Sequence, residues 1–271
     1  MNIVKFLINK MPSYKAKAII LRTYKLGESD KIIRMYSGKD GIISAIAKGS
    51  RRTRSKFGGR LALFNLIDLE IASGRNLDVI IQAEILKSFK NISLDFNKFI
   101  FCELISEVIL KTQSSGSEPS PLLFKLIYIC INEIDNLEIE DTKSLKKAVC
   151  FFGAKFLKII GYSPLLDVCC RCSIKMDDLY SFHKHKISFS IRYGGIVCGK
   201  CAKNLKNKMI LTASSYRFLC DLFNNKLEDF RDVEVDSLVI KKIYKLIENY
   251  LTYHTDCSID SFKYLNKIAM G

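Results

Sequence analysis

In the first third of the chain, hydrophobic positions fall into short runs with a period near two. Ala16–Thr23, Lys31–Tyr36, Gly41–Ala47, Leu61–Ala72 and Leu77–Leu86 are rich in Ile, Val, Leu and Tyr. Turn-forming stretches at Gly27–Asp30, Ser37–Asp40, Lys48–Gly59 and Ser73–Asn76 separate them, and this pattern predicts five β-strands. The alternation is clearest in Leu66-Ile67-Asp68-Leu69-Glu70-Ile71.

Five strands between residues 15 and 88 fit a small closed barrel, because closure removes the exposed edges of a five-stranded sheet. An OB-fold is the natural candidate. Beyond Leu86 the period changes to that of a helix. Phe96, Phe99, Ile100, Leu104, Val108 and Ile109 have helical spacing and predict a helix over Phe96–Lys111. A Ser/Gly/Pro stretch from Gln113 to Pro121 follows, and Leu122–Ile134 and Ser144–Ile160 read as two more helices, the latter stopped by Gly161 and Pro164. Ser214–Asn224, Val235–Tyr253 and Ile259–Ile268 return to helix, and residues 165–205 between them are irregular. The predicted class is α+β. Residues 1–14 are an N-terminal extension with Met11 an alternative start, and 15–88 form the barrel. Residues 89–164 and 206–271 form an α-helical domain, into which 165–205 is inserted.

Composition agrees with a globular protein: 271 residues, 48% hydrophobic and 26% charged. No window approaches the ~18 consecutive apolar residues of a membrane helix, and the first ten residues make a poor signal peptide because Lys5 breaks their apolar core. The expected location is the cytoplasm, with no membrane partner. The formal net charge of +15 is unevenly spread. Residues 1–60 hold 15 Lys and Arg against 3 Asp and Glu, a net +12, which leaves +3 for the remainder. A concentrated positive field points to a polyanion such as nucleic acid.

Lys48, Arg51, Arg52, Arg54, Lys56 and Arg60 stand in one predicted loop that holds no acid. Phosphates match such a cluster: Arg binds them bidentately, and Gly49, Gly58 and Gly59 let backbone amides come close. Arg22, Lys25, Lys31 and Arg34 add charge on the first two strands, with Tyr24, Tyr36 and Phe57 interleaved. OB barrels bind single strands through a basic groove and aromatic stacking platforms. Core packing is the plainer role for any one of these aromatics.

Ten cysteines in a cytoplasmic chain call for metal chemistry before disulfides. Cys102, Cys130, Cys150, Cys170, Cys220 and Cys257 fall mostly in apolar patterns as small hydrophobes. Cys169, Cys172, Cys198 and Cys201 form CxxC…CxxC, the ligand set of a closed, structural tetrahedral zinc ion. Cys170 is a frame-shifted rival for Cys169, but a Cys-x-Cys spacing is too tight for the same turn. His183 and His185 read as surface residues. Lys186–Tyr193 alternates as a strand and Gly194-Gly195 turns into the second pair. No phosphate-binding GxxxxGK[ST] loop, GxSxG elbow or deaminase motif is present, so the expectation is a protein that is not an enzyme.

Longer motifs carry a resemblance. Ala18-Ile19-Ile20-Leu21-Arg22-Thr23, Gly27-Glu28-Ser29-Asp30-Lys31-Ile32-Ile33, Gly41–Arg52 with its Lys48-Gly49-Ser50-Arg51-Arg52, and Ser55-Lys56-Phe57-Gly58-Gly59 lead into Phe152-Gly153, Gly161–Cys169, Gly194-Gly195 and Cys198-Gly199-Lys200-Cys201. From about Lys15 onward the chain resembles the bacterial RecO family of recombination-repair proteins, with Ser50 where a small Ala is common. The resemblance implies an N-terminal OB-fold, an α-helical domain and a zinc-finger-like insert. It also implies binding of single- and double-stranded DNA and annealing of complementary strands coated by single-stranded-DNA-binding protein (SSB), whose C-terminal tail is a partner. RecR, with RecF in some members, would join it in loading RecA. Lys48, Arg51, Arg52 and Lys56 match the family's basic motif; Arg54 and Arg60 are added from charge alone. The rival reading is a zinc-ribbon RNA-binding or transcription-associated factor that uses the barrel for RNA.

Overall fold

The computed structural model describes residues 12–114, 116–176, 187–226 and 233–268. Met11, Asp177, Asp178, His183, His185 and Lys186 lie outside them. The chain forms two compact units, one of residues up to Asn136 together with those from Tyr264 on, and one from Leu137 to Lys263.

The first unit opens with five strands, β1 (Ser13–Leu26), β2 (Asp30–Ser37), β3 (Gly41–Ala47), β4 (Leu66–Ala72) and β5 (Asp78–Lys87). They close into a barrel in the order β1-β2-β3-β5-β4. All neighbours are antiparallel except β3 and β5, which meet in parallel through Ala45↔Asp78 and Ile46↔Val79. The five-stranded barrel expected from the alternation is therefore present, and its interior is the alternating set: Ala16, Ala18 and Ile20 from β1, Ile33 and Met35 from β2, Ile67, Leu69 and Ile71 from β4. Small Ala45 and Ala47 on β3 leave room for larger neighbours.

The fourth strand starts later than the pattern suggests. Leu61–Asn65 forms turns, and Phe64 adopts a left-handed φ of 68°. The Asn65 side-chain amide donates to the backbone carbonyls of Gly59 and Arg60. A side chain that captures local carbonyls in this way competes with strand pairing. Leu61 and Phe64 are apolar because they plug the barrel and its outer face, not because they alternate; Phe64 meets Phe99 edge-to-face, ring centroids 5.6 Å apart.

A 3-10 turn at Asn91–Ser93 and two helices, α1 (Phe96–Thr112) and α2 (Pro121–Asn136), follow in this unit. Asp95 caps α1 by accepting the backbone N–H groups of Asn97 and Lys98.

The second unit holds α3 (Thr142–Ile159), the three strands β6 (Ile187–Ser190), β7 (Gly195–Val197) and β8 (Met209–Leu211), the short α4 (Gly199–Ala202), then α5 (Ala213–Asn224), α6 (Ser237–Thr255) and the start of α7 (Asp260–Ile268). The strands form an antiparallel sheet in the order β7-β6-β8. Asp141, Thr212 and Asp236 cap α3, α5 and α6. Among the described residues, no helix is long and apolar enough to cross a membrane.

Candidate nucleic-acid interface and metal centre

The basic run lies where β3 leaves the barrel, and all six of its cations are exposed. Three anchors hold it. The backbone N–H of Gly49, which takes a left-handed φ of 67°, donates to the Asp30 carboxylate at 2.8 Å. The backbone N–H of Arg51 donates to the Ser29 carbonyl at 2.9 Å, and its guanidinium to the Gly27 carbonyl at 2.7 Å. Phe57, 2% exposed, is part of the barrel core. Lys56 lies over the Phe57 ring, 4.9 Å from its centroid, and its ammonium donates to the Ile81 carbonyl on β5 at 2.6 Å. Arg60 donates back to the Lys56 carbonyl.

Such a loop is fixed at its entry, middle and exit, so its charges are displayed at little further entropic cost on binding. The same hydrogen bond from Gly49, reinforced by the Ser29 hydroxyl, holds the Asp30 carboxyl below the usual carboxylate range, and Lys48 and Arg52 act in the same direction. Between the loop and β5 a cleft of about 370 Å³ is lined by Lys56, Arg60 and Gln82, with Glu84 as the acid beside them.

On the barrel strands, Lys25 is exposed, while Lys31 and Arg34 are half-buried. Lys25 faces Lys31 across the β1–β2 ladder, and Arg22 faces Arg34. Arg22 is also bridged to Glu103 on α1 at 2.9 Å, which offsets part of its charge. Of the three interleaved aromatics, Tyr36 and Phe57 are core residues, and Tyr24 stands out at 47% exposure. Tyr36 spends its polar end on structure: its hydroxyl accepts the backbone N–H of Ser120.

The second centre lies in the other unit. Cys169, Cys172, Cys198 and Cys201 converge, with all four sulfurs within 4.8 Å of one another. A tetrahedron with Zn–S bonds of about 2.3 Å has S–S edges of about 3.8 Å, and Cys172 Sγ lies 3.8 Å from Cys198 Sγ. The set therefore fits a zinc ion and is too open for a disulfide. Two knuckles build it. In the first, the backbone N–H of Ser173 donates to the Cys169 carbonyl, and Ser173 itself takes a left-handed φ of 58°. In the second, Cys198 opens α4 and its backbone N–H donates to Cys169 Sγ at 3.3 Å. Burial works against a thiolate at Cys169, but N–H groups of Cys198, Arg171 and Cys172 converge on its sulfur and bring it down to about 6. Cys201 is pushed up to about 12, chiefly because its thiol hydrogen-bonds to Cys198.

Cys170 stays out of the cluster. Its backbone N–H donates to the Ile196 carbonyl, and burial raises its thiol. Its neighbours in the earlier list divide: Cys102, Cys130, Cys150 and Cys220 sit on helices, whereas Cys170 lies in a turn and Cys257 follows α6. The glycine before the second pair has a steric reason. An added Cβ at Gly195 would lie 2.3 Å from the Leu165 carbonyl oxygen, since Leu165 and Gly195 form a parallel bridge that brings the first cysteine pair alongside β7.

A closed OB barrel with a pinned cationic loop, followed by helices and a four-cysteine cluster that could hold a metal ion, defines an α+β OB-fold protein. The family described as Recombination protein O N terminal matches residues 11–89, and Recombination protein O C terminal matches residues 93–261. The DNA repair protein RecO of Cutibacterium acnes is 35% identical over 192 residues, 70% of this chain and 75% of the relative. That of Caldanaerobacter subterraneus subsp. tengcongensis is 28% identical over 255 residues, 94% of this chain and 98% of the relative. That of Bifidobacterium adolescentis is 29% identical over 257 residues, again 94% of this chain. The chain belongs to the RecO family, and is a DNA repair and recombination protein.

Proposed function

We propose that this protein binds single- and double-stranded DNA through residues 15–88 and anneals complementary strands, including strands coated by SSB. With RecR, and RecF where that is used, it would help place RecA on SSB-coated DNA in the cytoplasm. The SSB tail is then a partner as well as the obstacle. The helices of 89–164 and 206–271 and the insert of 165–205 serve as scaffold and partner surface. The observation that carries the reading is the pinned loop. Six exposed cations stand on backbone that Asp30, Ser29 and Phe57 hold in place, on a chain whose relatives are DNA repair proteins.

Annealing of this kind needs no nucleotide hydrolysis. Two phosphate backbones repel each other, and a cationic surface within about a Debye length screens that repulsion. Lys48, Arg51, Arg52, Arg54, Lys56 and Arg60 supply the screening, Lys25, Lys31 and Arg34 extend it along the barrel, and Arg22 adds what Glu103 leaves. Tyr24 offers one ring for an unpaired base. Cys169, Cys172, Cys198 and Cys201 would hold one zinc ion, and four thiolates leave no open position on it, so its contribution is structural.

The test is annealing of complementary oligonucleotides, bare and SSB-coated, with and without cognate RecR. The wild type should anneal both, and Arg51→Glu/Arg52→Glu should anneal neither while its zinc content is unchanged. Near-wild-type annealing by that variant would remove the loop from the mechanism. A strong preference for RNA in competition, with no annealing of SSB-coated strands, would favour an RNA-binding factor instead.

A further inference from the structure

The small net charge of the chain beyond the barrel conceals a second concentration. From Leu179 to Cys220 there are eight Lys and Arg and no Asp or Glu. Within the described part of that run, the turn after β6 and the segment leading into β8 form two walls of an open groove of about 620 Å³, and Tyr253 of α6 stands in a third. That volume lies within the ~300–1,000 Å³ of small-ligand sites.

Arg192, Lys206 and Lys208 line the groove, no carboxylate does among the described residues, and Asn204 and Asn207 add amide donors and acceptors. Lys200 and Lys203 flank Cys201 in sequence, where they would offset the negative charge of four thiolates around a divalent ion. Among the described residues, no carboxylate lines the groove beside its cations. Lys208 is already oriented by donating to the Ala202 carbonyl.

The aromatics are presented as well. Tyr193 is 40% exposed and Tyr253 53%. The guanidinium of Arg171 lies 5.1 Å and that of Arg192 5.8 Å from the Tyr193 ring centroid, so a flat cationic plane accompanies the ring. On the inner side, His254 contacts the Ile191 carbonyl at 2.9 Å and packs edge-on to Tyr253 at 5.1 Å, which steadies the wall. Rings and guanidinium planes beside unopposed cations are what a single strand uses: bases stack on the π-faces, and phosphates meet the charge. An acidic peptide would use the cations but has no need of exposed rings and paired amides.

We infer that this groove is a second single-stranded-DNA site, carried by the zinc-bearing unit and separate from the barrel loop, with Arg192, Lys206 and Lys208 on phosphates and Tyr193 and Tyr253 under bases. It gives the protein a hold on a strand that loop substitutions do not remove.

The experiment uses the full-length, zinc-loaded chain and a fluorescein-labelled oligo(dT), read by anisotropy across a salt series. The background is Arg51→Glu/Arg52→Glu, which should retain weak binding. Adding Arg192→Glu/Lys206→Glu should remove that residual binding. In the wild-type background the same pair should flatten the salt slope by about 1.4, at about 0.7 per single-strand phosphate contact. Tyr253→Ala should weaken binding about fivefold or more without changing the slope, and Tyr253→Phe should restore it. A 4-thiothymidine oligonucleotide should crosslink to peptides containing Tyr193 or Tyr253. Zinc content and melting temperature of each variant report the fold. The inference is overturned if the loop variant shows no residual binding at low salt, if crosslinks stay within the barrel, or if the groove pair abolishes binding of a polyglutamate probe and leaves the oligonucleotide unaffected. If the loop variant instead binds like the wild type, the loop assignment fails, and the groove still stands or falls by its own variants.

Discussion

The Asp30 carboxylate accepts the backbone N–H of Gly49 at 2.8 Å, so the residue that begins β2 fixes the first turn of the basic loop. An acid among so many cations is thus part of the loop's frame. Asp30→Ala should lower barrel stability by about 1 kcal/mol, a figure kept small because the carboxylate is largely solvated. The shift gives the sign of the pH dependence. Asp30 is held below its ordinary range in the folded protein, so its stabilisation is present at neutral pH, begins to fall as pH drops below about 4, and is lost through the folded-state value. Urea unfolding of wild type and variant should differ at pH 7 and converge in acid.

The loop cations should separate by how they are held. Arg52→Ala and Arg54→Ala should each reduce the salt slope of single-strand binding by about 0.7, out of about −4 contributed by the six loop contacts, with unfolding midpoints unchanged. Arg51→Ala should lower both, because its guanidinium also closes the turn at Gly27. Anisotropy at several salt concentrations, paired with urea melts, distinguishes the two behaviours.

Cys198→Ser should reduce zinc from one equivalent to well below it, read by elemental analysis, and should destabilise the second unit. Cys170→Ser should leave the stoichiometry at one, since Cys170 stays outside the four-sulfur cluster. A wild type that folds normally with no metal would refute the closed structural site.

Gly195→Ala is a test of the scaffold beneath those thiols. Its Cβ would press on the backbone of Leu165, which has no rotamer through which to yield. The cost should be about 1–3 kcal/mol, and the zinc should be lost to a chelator faster, because the same bridge carries Leu165 toward Cys169.

Much of this fold was legible in periodicity. The strand alternation through Leu66–Ile71 and the helical spacing from Phe96 place their elements within a few residues of those observed; the strand buries alternate residues, whereas α1 is buried round most of its circumference from Phe101 to Ile109 and leaves Phe96 exposed. The limits have physical causes. Leu61–Asn65 looked like strand because plugging residues are as apolar as alternating ones, and only the captured carbonyls of Gly59 and Arg60 reveal the turn. The strands β7 and β8 are three residues each, too short for a period to show. The four cysteines were readable from spacing, since two intervening residues already define a knuckle. The anchoring of the loop by Asp30 was not, because a hydrogen bond nineteen positions away leaves no pattern. Nor was the groove beside Tyr253, since over the whole remainder the acid-free run is cancelled by acid-rich stretches at 133–141 and 221–236.

The parallel contact between β3 and β5 is the barrel's shortest seam, and Lys56 crosses it: the loop that leaves β3 is tied by that ammonium to Ile81 on β5. A strand of DNA that binds the loop therefore also fastens a stave of the barrel. Local opening of the seam becomes a thermodynamic competitor of binding, and saturation with oligonucleotide should slow amide hydrogen exchange at Ala45, Ile46 and Val79, which pair across it.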